Sequence, residues 1–168
     1  MQLKEINKQK YRRHLNIVIL FCIVFLTIGS LVAAQILIMF FPSESGTHFH
    51  WNLIGVISCA LSLLLLLVKF KTHVFMTEVT YVWELKQVLN QISRKMTKLK
   101  VGAENGCSDA MTAIHFSYAG SRQLWLLDDN TLNMNSLVRQ QEALEALAVR
   151  YDLTLDVNAY HSDMLNGF

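Results

Sequence analysis

The residues of this chain that could bind a metal ion stand in two short segments. His48 and His50, close to Glu44, offer side chains that zinc or copper accepts. A stable site needs three or four firmly spaced ligands, so we expect a polar loop there instead. Residues 128–131 (Asp-Asp-Asn-Thr) resemble the start of a calcium loop, but the central glycine and closing glutamate of an EF-hand are missing. We expect a turn that caps the next segment of the chain.

Catalytic motifs are not recognisable in the sequence. It contains no P-loop, GxSxG, HExxH or GxGxxG pattern. Glu78 and Glu84 are six residues apart, a spacing that does not place two carboxylates on one helical face. Within the two long apolar runs, residues 15–41 and 51–68 contain no Asp, Glu, Lys, Arg or His, which ion pathways generally need. We expect a chain that is not an enzyme and uses no cofactor.

Two apolar runs dominate the first half of the chain, at residues 15–41 and 51–70. As helices they would be about 40 Å and 30 Å long, enough to cross a hydrocarbon core of about 30 Å. The remaining residues suffice for one small domain, which is too small to bury both runs. Ala33 and Ala34 could end a cleaved signal peptide, but the first run continues to Phe41, so we expect an uncleaved anchor.

The spacing of small residues in these runs predicts close helix contact, either between the two spans or with a second copy. Gly29 and Ala33 in the first run, and Ser58 and Ser62 in the second, are each four residues apart.

Charge sets the expected orientation. Residues 1–14 carry five Lys or Arg, the connecting loop 42–50 carries none, and Lys69 and Lys71 stand at the end of the second run. The positive-inside rule therefore predicts cytoplasmic termini and an external loop. Residues 1–100 hold 12 Lys or Arg and 4 Asp or Glu, against 3 and 9 in residues 101–168. We expect the basic N-terminal part to contact the bilayer and its anionic headgroups, and expect no nucleic acid partner.

The predicted cytoplasmic domain, residues 71–168, begins with one long helix over 72–100, ended by Gly102 and by Gly106 after Asn105. Apolar residues recur along it at alternating spacings of three and four, which is typical of a heptad seam. The seam is short, which favours packing within the chain over pairing of two copies. This candidate interaction seam comprises Val82, Leu85, Leu89, Ile92, Met96 and Leu99.

Two further helices are predicted, over residues 110–127 and 136–151. Ser108 or Asp109 is the expected cap of the first. The second repeats the spacing of the seam, so the simplest packing is an antiparallel three-helix arrangement. Residues 153–158 alternate apolar and polar, which fits either a strand-like tail lying on the bundle or a frayed end. The fold class is therefore an all-α membrane protein, a transmembrane hairpin followed by a cytoplasmic domain of about three helices.

Four segments carry a family resemblance that covers nearly the whole chain. They begin at Lys8 (KQKYRRHLN), Trp51 (WNLIG), Thr77 (TEVTYVW) and Arg122 (RQLWLLDDNTL). Together they resemble the bacterial two-span proteins called domain of unknown function 3087. The resemblance implies a Gram-negative inner membrane and implies no activity. The last segment is unusually polar for core filling, which makes it the candidate polar site: Arg122, Trp125, Asp128, Asp129 and Asn130.

Three functions remain open. The first is a non-enzymatic membrane adaptor that binds another membrane protein or a copy of itself through the seam and the acidic third helix. The second is an accessory subunit of a larger membrane complex, with the spans as its interface. The third is a metal-binding or enzymatic domain that uses Asp128 and Asp129.

Overall fold

The computed structural model describes residues 1–41, 48–130 and 132–168. Residues 42–47, most of the predicted external loop, and Thr131 of the polar run lie outside the described residues. The described residues form five α-helices and no strand, which confirms the all-helical prediction. The helices are α1 Lys8–Phe40, α2 Phe49–Phe70, α3 Thr77–Glu104, α4 Ser108–Leu127 and α5 Met134–Arg150.

Two compact units divide the chain. The hairpin unit is Gln9–Thr80, and the bundle unit combines Met1–Lys8 with Tyr81–Phe168. The boundary falls within α3, so the helix bounds do not coincide with the unit bounds.

The hairpin unit is built from two antiparallel apolar helices. Phe41 stacks on Trp51 at one end, with ring centroids 5.1 Å apart. Further from that end, Ala34 of α1 lies against Gly55 of α2. At 33 and 22 residues, α1 and α2 are about 50 Å and 33 Å long, enough for each to cross a bilayer. In an apolar stretch of 18 residues, only 6% of α1 and 17% of α2 is buried.

Small residues form the contact between α1 and α2, as predicted, but only in part at the predicted positions. A Cβ added to Gly55 would lie 2.9 Å from the backbone nitrogen of Ala34, and one added to Gly29 would lie 2.7 Å from the Sγ of Cys59. Ser58 and Ser62 do not take part in this contact, because both are exposed on the outer face of α2. For this pair, contact with a second copy stays a prediction. The backbone of α2 therefore approaches α1 through Gly55 and Cys59.

The bundle unit is an up-down-up arrangement of three helices. Gly120 of α4 approaches Leu85 and Leu89 of α3, whereas Gly102 at the other end of α3 lies against Ala110 at the start of α4. The Tyr151 hydroxyl, just after α5, donates to the carbonyl of Glu104 at 2.6 Å. Consecutive helices are thus antiparallel, as the repeated seam spacing predicted.

Several predicted helix ends were wrong. α1 begins at Lys8, well before the apolar run, because its basic residues contain no helix breaker. α3 begins at Thr77, after a short 3₁₀ helix at Val74–Met76, and continues through Gly102 to Glu104. α4 begins at Ser108, and its N-cap is Cys107, which makes no side-chain cap hydrogen bond. Neither Ser108 nor Asp109 is therefore the cap.

The C-terminal tail is not a strand. After Arg150 it forms two short 3₁₀ helices, Val157–Ala159 and Ser162–Leu165, that contact α4. Tyr160 stacks on Phe116 at 4.3 Å, and Lys95 of α3 donates to the carbonyl of Leu165 at 2.7 Å. Of the two alternatives, the tail that lies on the bundle is the observed one.

Candidate functional site

The candidate polar site lies at the C-terminal end of α4. Asp128 is the C-cap, Asp129 follows in the left-handed region at φ 56°, and the N–H of Asn130 donates to the carbonyl of Trp125 at 2.9 Å. This is the hydrogen bond of a Schellman cap, in which a left-handed residue reverses the chain after a helix. The turn therefore caps the helix that precedes it. The prediction that it caps the next helix was wrong, since the N-cap of α5 is Asn133 and makes no side-chain cap bond.

Both carboxylates of this turn face lysines of their own unit. Asp128 is 3.0 Å from the ammonium of Lys86 on α3. Asp129 pairs with Lys8, the last residue of the N-terminal segment of the bundle unit. These four side chains are about 37–51% exposed, so each pair adds little stability but fixes which lysine lies at the turn.

Next to the turn, the backbone of Lys4 is held at both of its hydrogen-bonding groups. Its N–H donates to the Tyr81 hydroxyl at 2.8 Å, and its carbonyl accepts from the Gln123 side chain at 2.5 Å. The Tyr81 hydroxyl donates in turn to Oε1 of Gln123 at 3.1 Å, and burial of this ring raises the pKa of the phenol. The candidate polar site is thus part of a docking site for residues 1–8.

Arg122 and Trp125, two further members of the candidate polar site, differ in their exposure to solvent. Arg122 is exposed, and Trp125 is half-buried at the edge of a groove between α3, α4 and α5. The groove has a volume of about 420 Å³. Its wall is mixed, with apolar side chains beside the polar groups of Asn90, Ser93, Ser121 and Gln140.

The heptad seam is mostly core of the bundle unit. Leu85, Ile92 and Leu99 are fully buried, and Val82 is 2% exposed. Only Leu89 and Met96 reach the wall of the groove. Packing within the chain, the favoured interpretation of the seam, accounts for this burial.

A second polar cluster, in the hairpin unit, was not found from the sequence. Glu78 near the start of α3 pairs with Lys10, and its other oxygen is 3.4 Å from Nδ1 of His14. The hydrogen bond with Lys10 lowers the pKa of Glu78 although burial opposes it, and His14 stacks on Phe75 at 4.1 Å. Lys10 and His14 stand four residues apart on one face of α1, the only signal for this cluster in the sequence.

Metal ligands are not grouped in the part of the chain that the structure describes. No set of three or more His, Cys, Asp or Glu side chains comes together there. His48 is half-buried just before α2 and His50 is exposed in its first turn, whereas Glu44 lies outside the described residues.

The geometry defines an all-helical protein in which two helices of membrane-spanning length are joined to a three-helix bundle. The chain belongs to the family described as protein of unknown function (DUF3087), whose model matches residues 1–165. This confirms the resemblance that the four sequence segments indicated. Comparison with curated proteins and with solved structures gives no match.

Proposed function

We propose that this chain is a non-enzymatic adaptor anchored in a bacterial inner membrane. The hairpin unit spans the bilayer, and the bundle unit binds another protein at the cytoplasmic surface. The observation that carries the proposal is the outer face of the hairpin, where large apolar side chains from Ile17 to Phe70 are 42–81% exposed. Soluble proteins rarely expose an apolar surface of this extent, whereas lipid covers it at no cost.

The two chain segments that form the bundle unit support two crossings of the membrane. Met1–Lys8 lies before the apolar run of α1 and Tyr81–Phe168 follows α2, yet both belong to one compact unit. Segments of one unit must share a side of the membrane, so the chain between them crosses an even number of times. The five Lys and Arg residues among positions 1–14, ahead of the apolar run of α1, favour the cytoplasmic side.

Anchoring is tested by an alkaline carbonate wash of membranes that contain the full chain. The protein is expected to stay in the pellet and to enter solution only with detergent. Release by carbonate alone would contradict the proposal.

The groove of the bundle unit is the proposed contact surface for the partner. It combines the two least buried seam residues, Leu89 and Met96, with Leu137 and Gln140 of α5. An apolar centre flanked by amide and hydroxyl groups is the composition of many protein interfaces. This surface joins part of the seam to the third helix, the two surfaces that the sequence indicated.

Co-purification from native membranes tests the adaptor role. Ser121→Arg places a long charged side chain in the groove, and Lys98→Glu changes an exposed residue outside its wall. We expect wild type and Lys98→Glu to retain the same partner, and Ser121→Arg to lose it at an unchanged melting temperature. Identical partners for both variants would contradict the groove as the contact surface.

One observation favours the second candidate, an accessory subunit that binds through its spans. Ser58 and Ser62 form a small-residue pair on the exposed face of α2, where another helix can approach closely. Ser58→Leu is then expected to dissociate a complex in mild detergent that Ala60→Leu leaves intact. The third candidate has less support, because Asp128 and Asp129 pair with lysines.

A further inference from the structure

A cavity of about 220 Å³ lies at one end of the hairpin unit, between α1 and α2. Its walls include Ile17, Val18 and Phe21 of α1 and Leu66 and Leu67 of α2. The segment between α2 and α3 closes it with Phe75 and Met76. Every one of these residues belongs to the hairpin unit, so the cavity is formed within a single compact body.

The side chains that line the cavity favour a hydrocarbon ligand. His73 is the one polar side chain among the lining residues, and Phe75 is held in place by its stacking on His14 at 4.1 Å. Ile17 and Phe21 are 44% and 47% exposed, so the cavity opens on the outer face of the hairpin. In a bilayer that face meets acyl chains, and an apolar cavity that opens there is filled by one of them.

Basic residues stand one helical turn beyond the cavity on both helices. Arg13 precedes Ile17 by four residues on α1, and Lys69 follows Leu66 by three on α2, so each shares a face with a lining residue. Both side chains are exposed. Long basic side chains near the end of a span extend to the headgroup level, where they attract anionic lipid.

We propose that this cavity binds one acyl chain of an anionic glycerophospholipid, with the lipid phosphate between Arg13 and Lys69. The site would hold a single lipid in a fixed position, which general attraction to a charged bilayer does not do. The inference rests on the proposed membrane location of the hairpin unit.

Native mass spectrometry of the full chain in mild detergent tests the site. Phosphatidylglycerol and phosphatidylcholine with identical acyl chains are added separately. We expect one phosphatidylglycerol to be retained, with a preference over phosphatidylcholine on the order of tenfold because two basic residues contribute. Retention of neither lipid, or equal retention of both by wild type, would overturn the proposal.

Two sets of variants separate the acyl and the headgroup contacts. Val18→Trp fills the cavity and is expected to abolish retention of both lipids, whereas Val32→Trp on the exposed face of α1 leaves it unchanged. Arg13→Gln combined with Lys69→Gln should remove the preference for the anionic lipid, and Lys98→Gln should not. If Val18→Trp does not fold, Leu67→Phe replaces it. Unchanged retention in the cavity variant would place the lipid elsewhere and contradict the site.

The carbonate wash distinguishes this inference from the proposed function. A chain that stays in the membrane pellet but retains no lipid contradicts the lipid site alone. A chain that carbonate releases contradicts the membrane location and the lipid site together.

Discussion

The bundle unit and the hairpin unit differ in where most of their large apolar side chains lie. In the bundle, Phe116, Ile92 and Leu85 are fully buried. In the hairpin, Gly55 lies against Ala34 and Gly29 against Cys59, while Leu65 and Phe40 are 70% and 72% exposed. A bundle in water is stabilised by removing large apolar side chains from the solvent, whereas helices in lipid associate through close van der Waals contact between small residues.

The largest expected difference in stability is between the same substitution, Leu to Ala, made in each of the two units. Leu85→Ala in the bundle core should cost about 2–5 kcal/mol, because it loses buried methyl groups and leaves a cavity. Leu65→Ala on the outer face of the hairpin should leave the free energy of unfolding nearly unchanged. Denaturant unfolding of the full chain in mild detergent measures both. Equal losses would show that both faces are core.

The second prediction adds side-chain volume where α2 contacts α1, instead of removing it. Gly55→Leu should destabilise the hairpin by about 1–3 kcal/mol, since an added Cβ already lies 2.9 Å from the backbone of Ala34. Ala60→Leu, on the exposed face of α2, is the matched control and should have little effect. Melting temperatures in detergent check this pair. A control as unstable as Gly55→Leu would contradict the packing of α1 on α2.

Sequence patterns predicted the number of helices and their order, because long apolar runs and seam spacing depend only on residues near in the chain. Gly29 was identified correctly by its small-residue spacing. For Ser58 and Ser62 the choice between α1 and a second copy could not be made, since spacing does not say which face of α2 turns toward α1. The pairing of Lys10 and His14 with Glu78 could not be predicted, because it joins residues more than 60 positions apart in the chain.

The Glu78 cluster gives a smaller, pH-dependent effect. Its lowered pKa means that the pairing with Lys10 stabilises the folded protein above the ordinary pKa of a glutamate, and that this contribution is lost as the pH falls from there through the lowered pKa. Glu78→Gln should cost about 1–2 kcal/mol at pH 7 and nearly nothing in acid. Melting temperatures of both proteins from pH 7 to pH 3 should converge. A constant difference would show that Glu78 does not titrate with folding.

The smallest effect concerns the docking of the N-terminal segment in the bundle unit. Lys8→Gln and Asp129→Asn should each cost about 0.2–1 kcal/mol, because both side chains are half-exposed. Asn tolerates the left-handed backbone of position 129, so the second variant changes charge alone. A double-mutant cycle by urea unfolding should show that the two losses do not add. Fully additive losses would contradict the ion pair.

Cysteine labelling tests most directly whether the hairpin unit crosses a membrane with both ends on one side. In a variant with Cys22, Cys59 and Cys107 replaced by Ala, single cysteines are introduced as Ser45→Cys, Gln2→Cys or Asn166→Cys. We predict that a membrane-impermeant maleimide labels Ser45→Cys with the inner membrane intact, and labels the other two only after lysis. Labelling of position 2 or 166 before lysis, or protection of position 45, would contradict the two-span orientation.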